Sequence, residues 1–97
     1  MVIIKKSTLI EYAKKYAGAK TALKEWYQNV KVADWSSLSD VKKHYPKTDF
    51  VGNDHYVFNI KGNAYRLVAM IHFSKRTLYI RFFGTHAEYD KIDATEI

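Results

Sequence analysis

The chain has 97 residues, of which 47% are hydrophobic, and its 16 lysines and arginines exceed its 10 aspartates and glutamates by six charges. This length and composition predict one soluble domain with a modest core. The absence of cysteine excludes a disulfide framework and a zinc–thiolate site. No apolar run reaches the roughly 18 residues of a membrane span, and no signal-peptide pattern opens the chain, so we expect a cytoplasmic protein.

The first part of the chain predicts one strand and two helices. Residues 2–4 form a short apolar run, as in an edge strand. Thr8 and Glu11 have the spacing of a capping box, in which a hydroxyl and a carboxylate bond free helix N–H groups. They predict a helix that runs to about Tyr16, and apolar residues at the helical period predict a second helix after Gly18.

The two predicted helices are rich in lysine, and the stretch after them is short and irregular. We expect the lysines to form a solvated outer face, with an anchoring surface for a large polyanion as the alternative. Trp26 and Trp35 are expected in the core. Ser37 or Ser39 can cap a short helix that ends before Pro46, and residues 47–54 are predicted to be a loop. The lysines are Lys14, Lys15, Lys20, Lys24 and Lys31.

Residues 55–90 predict a three-stranded antiparallel meander, because three apolar-rich runs are separated by two turn signals. A two-residue loop at Gly62–Asn63 forms the first hairpin. In that register Asn59 lies opposite Arg66.

The second hairpin is predicted to turn through a two-residue loop at Lys75–Arg76. This loop places Ile71 opposite Ile80. It also places Arg66 opposite Thr85, next to the end of the third strand.

Strand alternation divides the meander into two faces. A shift of one residue would bury Arg66 and Arg81, so the register is well specified. The apolar face, which the helices are expected to cover, collects Tyr56, Phe58, Ile60, Tyr65, Leu67, Ala69, Ile71, Phe73, Leu78, Ile80 and Phe82. The basic and aromatic face collects His55, Val57, Asn59, Lys61, Arg66, Val68, Met70, His72, Tyr79, Arg81 and Phe83.

After the third strand, residues 90–97 predict a short C-terminal helix and a frayed end. The predicted order is therefore β-α-α-(short helix)-β-β-β. This is an α+β domain, with helices on one face of an antiparallel sheet.

The residues that could carry chemistry lie on or beside the basic face. There is no glycine-rich phosphate loop, no histidine pair at metal-ligand spacing and no catalytic triad, so neither a metal nor a cofactor is predicted. The remaining set is Asn59, Lys61, Arg66, Arg81, His86 and Tyr89.

This set suits metal-free cleavage of RNA by the ribose 2′-hydroxyl, which needs a base, an acid and cations. A tyrosine near two arginines could have a lowered pKa or donate a proton. Other roles stay open: Arg66 could pair with Asp54 or Asp90, His86 could cap a helix and Tyr89 could be a core residue. Catalysis, nucleic-acid binding without catalysis and protein interaction are all compatible with these residues.

Three strings resemble the HigB family of bacterial toxins, which belongs to the RelE/ParE superfamily. They are DWSSLSDVKKHYP at residues 34–46, VFNIKGNAYRLV at residues 57–68 and THAEYDKID at residues 85–93. The resemblance covers nearly the whole chain and implies a single RelE-like toxin domain over residues 1–97.

The resemblance implies an endoribonuclease that cleaves mRNA, usually on the ribosome and without a metal, and so arrests growth. It also implies a HigA-type helix-turn-helix antitoxin that neutralises the toxin, and operator DNA bound only through the complex of the two. A non-catalytic RNA-binding toxin and a gyrase-directed toxin of the same fold are the alternatives.

The resemblance and the basic face together divide the candidate residues into two groups. Arg66, His86 and Tyr89 match the family pattern of catalytic residues, and Arg81 is assigned to the same group. Which of His86 and Tyr89 acts as base stays open. The candidate RNA-binding residues are Asn59, Lys61, Tyr79 and His55.

Overall fold

A five-stranded sheet with strand order β1-β5-β4-β3-β2 forms the framework of the protein in a computed structural model that describes all 97 residues. The α+β class and the placement of helices against the sheet are as expected. None of the helices is both long and apolar enough to cross a membrane. In chain order the elements are β1 (Val2–Ile4), α1 (Lys6–Lys15), α2 (Lys20–Val32), α3 (Leu38–His44), β2 (Asp49–Gly52), β3 (His55–Ile60), β4 (Tyr65–His72), β5 (Thr77–Thr85) and α4 (His86–Tyr89).

The sheet is antiparallel except where β1 pairs in parallel with β5. The predicted loop at residues 47–54 is wrong, because Asp49–Gly52 forms β2 on the outer side of β3. This strand has only four residues. Asn53 and Asp54, which follow it, have left-handed backbones, so turn residues dominate the sequence of the whole stretch. Pairing with β3 supplies the hydrogen bonds that make it a strand.

The starts of the helices differ in how well the sequence anticipated them. The capping box assigned to Thr8 and Glu11 is wrong: α1 begins at Lys6, and the Thr8 hydroxyl donates a hydrogen bond of 2.5 Å to the carbonyl oxygen of Lys5. Lys5 is the residue that precedes the helix, and no side chain caps the first N–H groups. The prediction for α3 is confirmed, since the Ser37 hydroxyl accepts from the Asp40 N–H.

The core lies between the helices and the inner face of the sheet. Trp26 and Trp35 are 1% and 2% exposed, as expected for core anchors, whereas the lysines along α1 and α2 are exposed. Burial of these apolar side chains is the main favourable contribution to folding. The enclosed core residues include Leu9, Ala19, Leu23, Trp26, Val30, Trp35, Val41, Phe58, Ile60, Leu67, Ala69, Ile71, Leu78, Ile80 and Phe83.

The first hairpin has the predicted register, with Asn59 opposite Arg66. The turn between the two strands contains Lys61 and Gly62 with φ values of 55° and 63°. Both residues are in the left-handed region, which is the twist that tight hairpins require.

The second hairpin does not have the predicted register. A 3₁₀ turn at Phe73–Lys75 and the left-handed Arg76 replace the expected two-residue loop, so Ile71 lies opposite Leu78 instead of Ile80. The longer turn moves the pairing by two residues, which leaves every side chain on its expected face.

A β-bulge then changes the faces within β5. Val68 pairs with Phe82 while Ala69 pairs with Ile80, so Arg81 is the extra residue of the bulge. Beyond it the alternation is reversed: Phe83 is buried in the core, and Phe82 is half-buried on the other face. The predicted positions of these two phenylalanines are therefore wrong, and Arg66 faces Gly84 instead of Thr85.

The outer face of the sheet is partly covered by the end of the chain. Val57 and Val68 are 3% and 0% exposed, because Ala94 and Ile97 pack against them. The expected helix after residue 90 is absent, since α4 already ends at Tyr89. Residues 90–97 form turns that pack on the sheet, so the predicted frayed end is also wrong.

The bulge predicts that truncation of Phe83 destabilises the protein more than truncation of Phe82. Phe83→Ala should lower the free energy of unfolding by about 3–5 kcal/mol, as expected for a buried aromatic ring. Phe82→Ala should cost roughly 1–2 kcal/mol, because its ring is only half-buried. Urea unfolding of the two variants measures both values, and a larger loss for Phe82→Ala would refute the bulge.

Candidate active site

One end of the sheet carries α4, a single helical turn that contains His86 and Tyr89. So short a helix has little stability by itself, and a capping box holds it. The Thr85 hydroxyl accepts from the Glu88 N–H at 3.2 Å, and a Glu88 carboxylate oxygen accepts from the Thr85 N–H at 2.9 Å. The Thr-x-x-Glu spacing could have revealed this cap from the sequence, as it suggested the incorrect one at Thr8.

Tyr16 connects α4 to the helical layer. Its hydroxyl, just beyond the end of α1, lies 2.9 Å and 3.0 Å from the two carboxylate oxygens of Glu88 and donates to the carboxylate. Hydrogen bonds from the Thr85 N–H and from Tyr16 lower the pKa of Glu88, which stays ionised at neutral pH. Neither Tyr16 nor Glu88 was identified from the sequence, because the contact joins residues 72 positions apart.

His86 begins α4 and is exposed. Its backbone N–H donates to the carbonyl oxygen of Ala64 at 3.2 Å, which anchors the helix to the β3–β4 turn. Its Nδ1 lies 3.1 Å from a carboxylate oxygen of Asp90. If the neutral imidazole donates from Nδ1 to Asp90, its Nε2 is available as a proton acceptor.

Tyr89 packs against Val57 and Val68 on the outer face of the sheet. Burial, and next the charge of Asp49, raise the pKa of its hydroxyl, and Arg66 opposes this rise. Of the two possibilities left open for this tyrosine, a lowered pKa does not hold, because the effect of one nearby guanidinium is outweighed by burial and carboxylates. A raised pKa keeps the hydroxyl protonated at neutral pH, which suits a proton donor.

Arg66 lies in the fourth strand, between Asn59 on one side and Gly84 on the other. Its Nη1 is 3.3 Å from the carbonyl oxygens of Asn63 and Tyr65. It forms no ion pair: the salt bridges of the chain are Lys43–Asp40, Arg76–Asp34 and His86–Asp90. Its half-buried guanidinium thus has no carboxylate partner and can receive an anion.

The other candidate cations are not gathered tightly around Arg66. Arg81 is exposed in the bulge and takes part in none of the salt bridges. The expected placement of Lys61 on the basic face is wrong. Lys61 has a left-handed backbone in the turn, and its Nζ donates to the carbonyl oxygen of Gly18 at 3.0 Å, on the helical side of the sheet.

The remaining candidate RNA-binding residues lie apart from one another. Asn59 is half-buried opposite Arg66. Tyr79 pairs with Met70, four positions along β4 from Arg66 and so about 13 Å away. His55 is 3% exposed, and its ring nitrogens lie 2.6 Å and 2.8 Å from backbone oxygens of Asn53 and Ile97, so the end of the chain encloses it.

The rest of the molecule has no metal-binding cluster, and its other well-defined cavity is apolar. No group of three or more histidine, aspartate and glutamate side chains is placed to hold a metal ion. A cavity of about 480 Å³ lies between α1 and α2 and has an apolar floor with lysines at its rim. It contains none of the candidate catalytic residues.

The fold and the site together define a small basic α+β domain of the RelE-like toxin class, with an arginine, a histidine and a tyrosine at one end of its sheet. The chain belongs to the HigB toxin family. The family model, which describes a RelE-like toxic component of a toxin-antitoxin system, matches residues 19–92.

Curated relatives match nearly the whole chain. The protein named mRNA interferase HigB from Escherichia coli O6:H1 is 33% identical over 94 residues, which cover 95% of this chain and 91% of the relative. The mRNA interferase toxin HigB of Escherichia coli strain K12 is 35% identical over 92 residues, or 93% and 88% of the two chains. The protein named mRNA interferase HigB from Shigella flexneri is also 35% identical over 92 residues, with the same coverage of the two chains.

The charges around Tyr89 predict two opposite changes in its pKa. Arg66→Ala should raise it further, because the opposing cation is removed, and Asp49→Asn should lower it. Titration of ¹³C-labelled tyrosine by NMR measures both shifts. Asp34→Asn, which changes a carboxylate paired with Arg76, is the control and should have no effect. Equal Tyr89 titration in all the variants would contradict this electrostatic arrangement.

Proposed function

We propose that this protein is the toxin of a toxin–antitoxin pair and an endoribonuclease that cleaves mRNA. The observation that carries the proposal is the unpaired guanidinium of Arg66 beside a Tyr89 hydroxyl that stays protonated. Membership of the HigB family supports it, as do relatives that are named mRNA interferases.

In the proposed reaction, the ribose 2′-hydroxyl attacks the adjacent phosphorus, and His86 is the general base. Its Nε2 accepts the hydroxyl proton, while Asp90 bonds Nδ1 at 3.1 Å and stabilises the imidazolium that forms. The contact with Asp90 supports His86 as the base. A tyrosine with a raised pKa is a poor base at neutral pH.

Tyr89 is the general acid of the same proposal. As the bond between phosphorus and the 5′-oxygen breaks, the phenol gives its proton to the departing oxygen, which leaves a 2′,3′-cyclic phosphate and a new 5′-hydroxyl end. Arg66 binds the phosphate oxygens and stabilises the added negative charge of the transition state. Arg81 contributes a second cation from the exposed bulge. No step requires a metal, because acid, base and cation all come from the chain.

The partners follow from the proposed reaction and the family. The net charge of +6 favours contact with a polyanion, and we infer that mRNA is cut while it is bound to the ribosome. A HigA-type helix-turn-helix antitoxin neutralises the toxin, and the pair binds operator DNA through the antitoxin. Family membership supports an antitoxin partner.

Growth arrest and new mRNA ends should both depend on Arg66. Arg66→Ala should lower cleavage about 10²–10³-fold, the usual cost of removing one preorganised donor to a transition-state oxyanion. Sequencing of 5′ ends after brief induction in cells measures it. Arg76→Ala is the matched control and should keep cleavage. Arg76 lies in the β4–β5 turn, where it is paired with Asp34.

The same experiment separates the possible activities. Growth arrest without new 5′ ends by the wild-type protein would indicate a non-catalytic RNA-binding toxin. Supercoiling defects with intact mRNA would indicate a gyrase-directed toxin. Undiminished cleavage by a folded Arg66→Ala variant would rule out the role given to Arg66.

Tyr89→Phe should lower cleavage about 10²–10⁴-fold, the range for loss of a general acid. The phenyl ring retains the packing on Val57 and Val68, so the thermal unfolding midpoint should change little. Tyr27→Phe, on α2, removes a hydroxyl far from the site and serves as the control. Wild-type cleavage by Tyr89→Phe would assign the acid to another group.

A further inference from the structure

A second, smaller cavity lies beside Arg66, between the segment that follows α3 and the β3–β4 turn. Its volume is about 320 Å³, at the lower end of the range for pockets that hold small ligands. Its lining includes His44, Lys47, Thr48, Asn59 and Asn63, and no carboxylate. It therefore differs from the apolar cavity between α1 and α2, and its charge favours an anionic or acceptor-rich ligand.

Two residues that line the cavity are neighbours of Arg66, although Arg66 itself does not line it. Asn59 lies directly opposite Arg66 in the sheet. The carbonyl oxygen of Asn63 accepts from Arg66 Nη1 at 3.3 Å, while Asn63 also lines the cavity. A polymer whose phosphate rests on Arg66 would thus have its neighbouring unit at the mouth of this cavity.

The polar groups of the cavity are suited to a nucleotide. The indole N–H of Trp35 donates to His44 Nδ1 at 3.3 Å, so the proton of a neutral His44 is on Nε2, which is a donor at the exposed edge of the ring. Asn59 and Asn63 offer amide donors and acceptors of the kind that read base edges. Lys47 adds an exposed cation.

We propose that this cavity binds the base and sugar of the nucleotide next to the phosphate held by Arg66, and that it sets the base preference of the cut. The inference rests on the proposed endoribonuclease function. Within it, Asn59 and Asn63 contact the base, and Lys47 contacts the flanking phosphate.

The first test maps the cut sites in cells for Lys47→Ala, Asn63→Ala and the double variant. Asn63→Ala and the double variant should change the frequency of bases flanking the cut by about tenfold or more, the scale of one lost contact to a base edge. Lys47→Ala removes a phosphate contact, so it should lower cleavage at all sites without changing the base pattern. Lys75→Ala removes an exposed lysine from the β4–β5 turn and is the control that should keep the wild-type pattern. An unchanged base distribution in the folded Asn63→Ala and double variants overturns the inference and leaves the proposed cleavage intact.

The second test does not depend on cleavage. The four nucleoside 5′-monophosphates and inorganic phosphate are titrated into ¹⁵N-labelled wild-type protein, and the side-chain amide signals of Asn59 and Asn63 are followed by NMR. Shifts that differ among the four bases, together with loss of the Asn59 shift in the double variant, support the inference. No shift at millimolar nucleotide, or equal shifts with phosphate alone, overturns it. A wild-type protein that binds one base but never cuts RNA would refute the proposed function instead.

Discussion

The extra residue at Arg81 in β5 is the constraint on which the functional end of the sheet depends. The bulge reverses the alternation of the strand, so Phe83 enters the core and Gly84 comes to lie opposite Arg66. A side chain at Gly84 would be crowded, because a Cβ there would lie 2.8 Å from the ring of Phe82 and 3.2 Å from a carboxylate oxygen of Glu88. The bulge, the glycine and the start of α4 thus depend on one another. Bulges commonly redirect side chains beside active sites in this way.

Glu88 has a comparable role for α4. One carboxylate receives the Thr85 N–H and the Tyr16 hydroxyl, and so joins the end of β5, the first turn of α4 and the end of α1. The Tyr16 ring is in turn packed edge-on against Tyr65 and Phe83. His86 and Tyr89 are consequently held on a rigid corner although their helix has only four residues, as a site that depends on precise positioning requires.

Local patterns in the sequence were sufficient for part of this arrangement. Turn residues at Gly62–Asn63 and period-2 alternation correctly gave the pairing of Asn59 with Arg66. The bulge at Arg81 could not be foreseen, because no turn residue marks it. It is determined by how Phe82 and Phe83 pack on the two faces of the sheet.

Distant contacts limited the prediction of the candidate site. Threonine–glutamate spacing occurs both at Thr8 and at Thr85, and only the second forms a box, which the surrounding fold decides. The enclosure of His55 and the position of Lys61 depend on Ile97 and Gly18, which are 42 and 43 residues away. The roles given to the individual site residues stay predictions.

The pairing of β1 with β5 has a consequence for when the protein becomes harmful. The first strand can pair with β5 only after Thr77–Tyr79 has been synthesised. The hydrogen bond from Tyr16 to Glu88 likewise requires that Glu88 has been synthesised. Contacts of such long sequence separation form late in folding. A nascent chain that still lacks β5 and α4 therefore has neither a closed sheet nor a histidine and tyrosine in place. The folded form with both of these residues in place exists only after nearly all of the sequence has been translated.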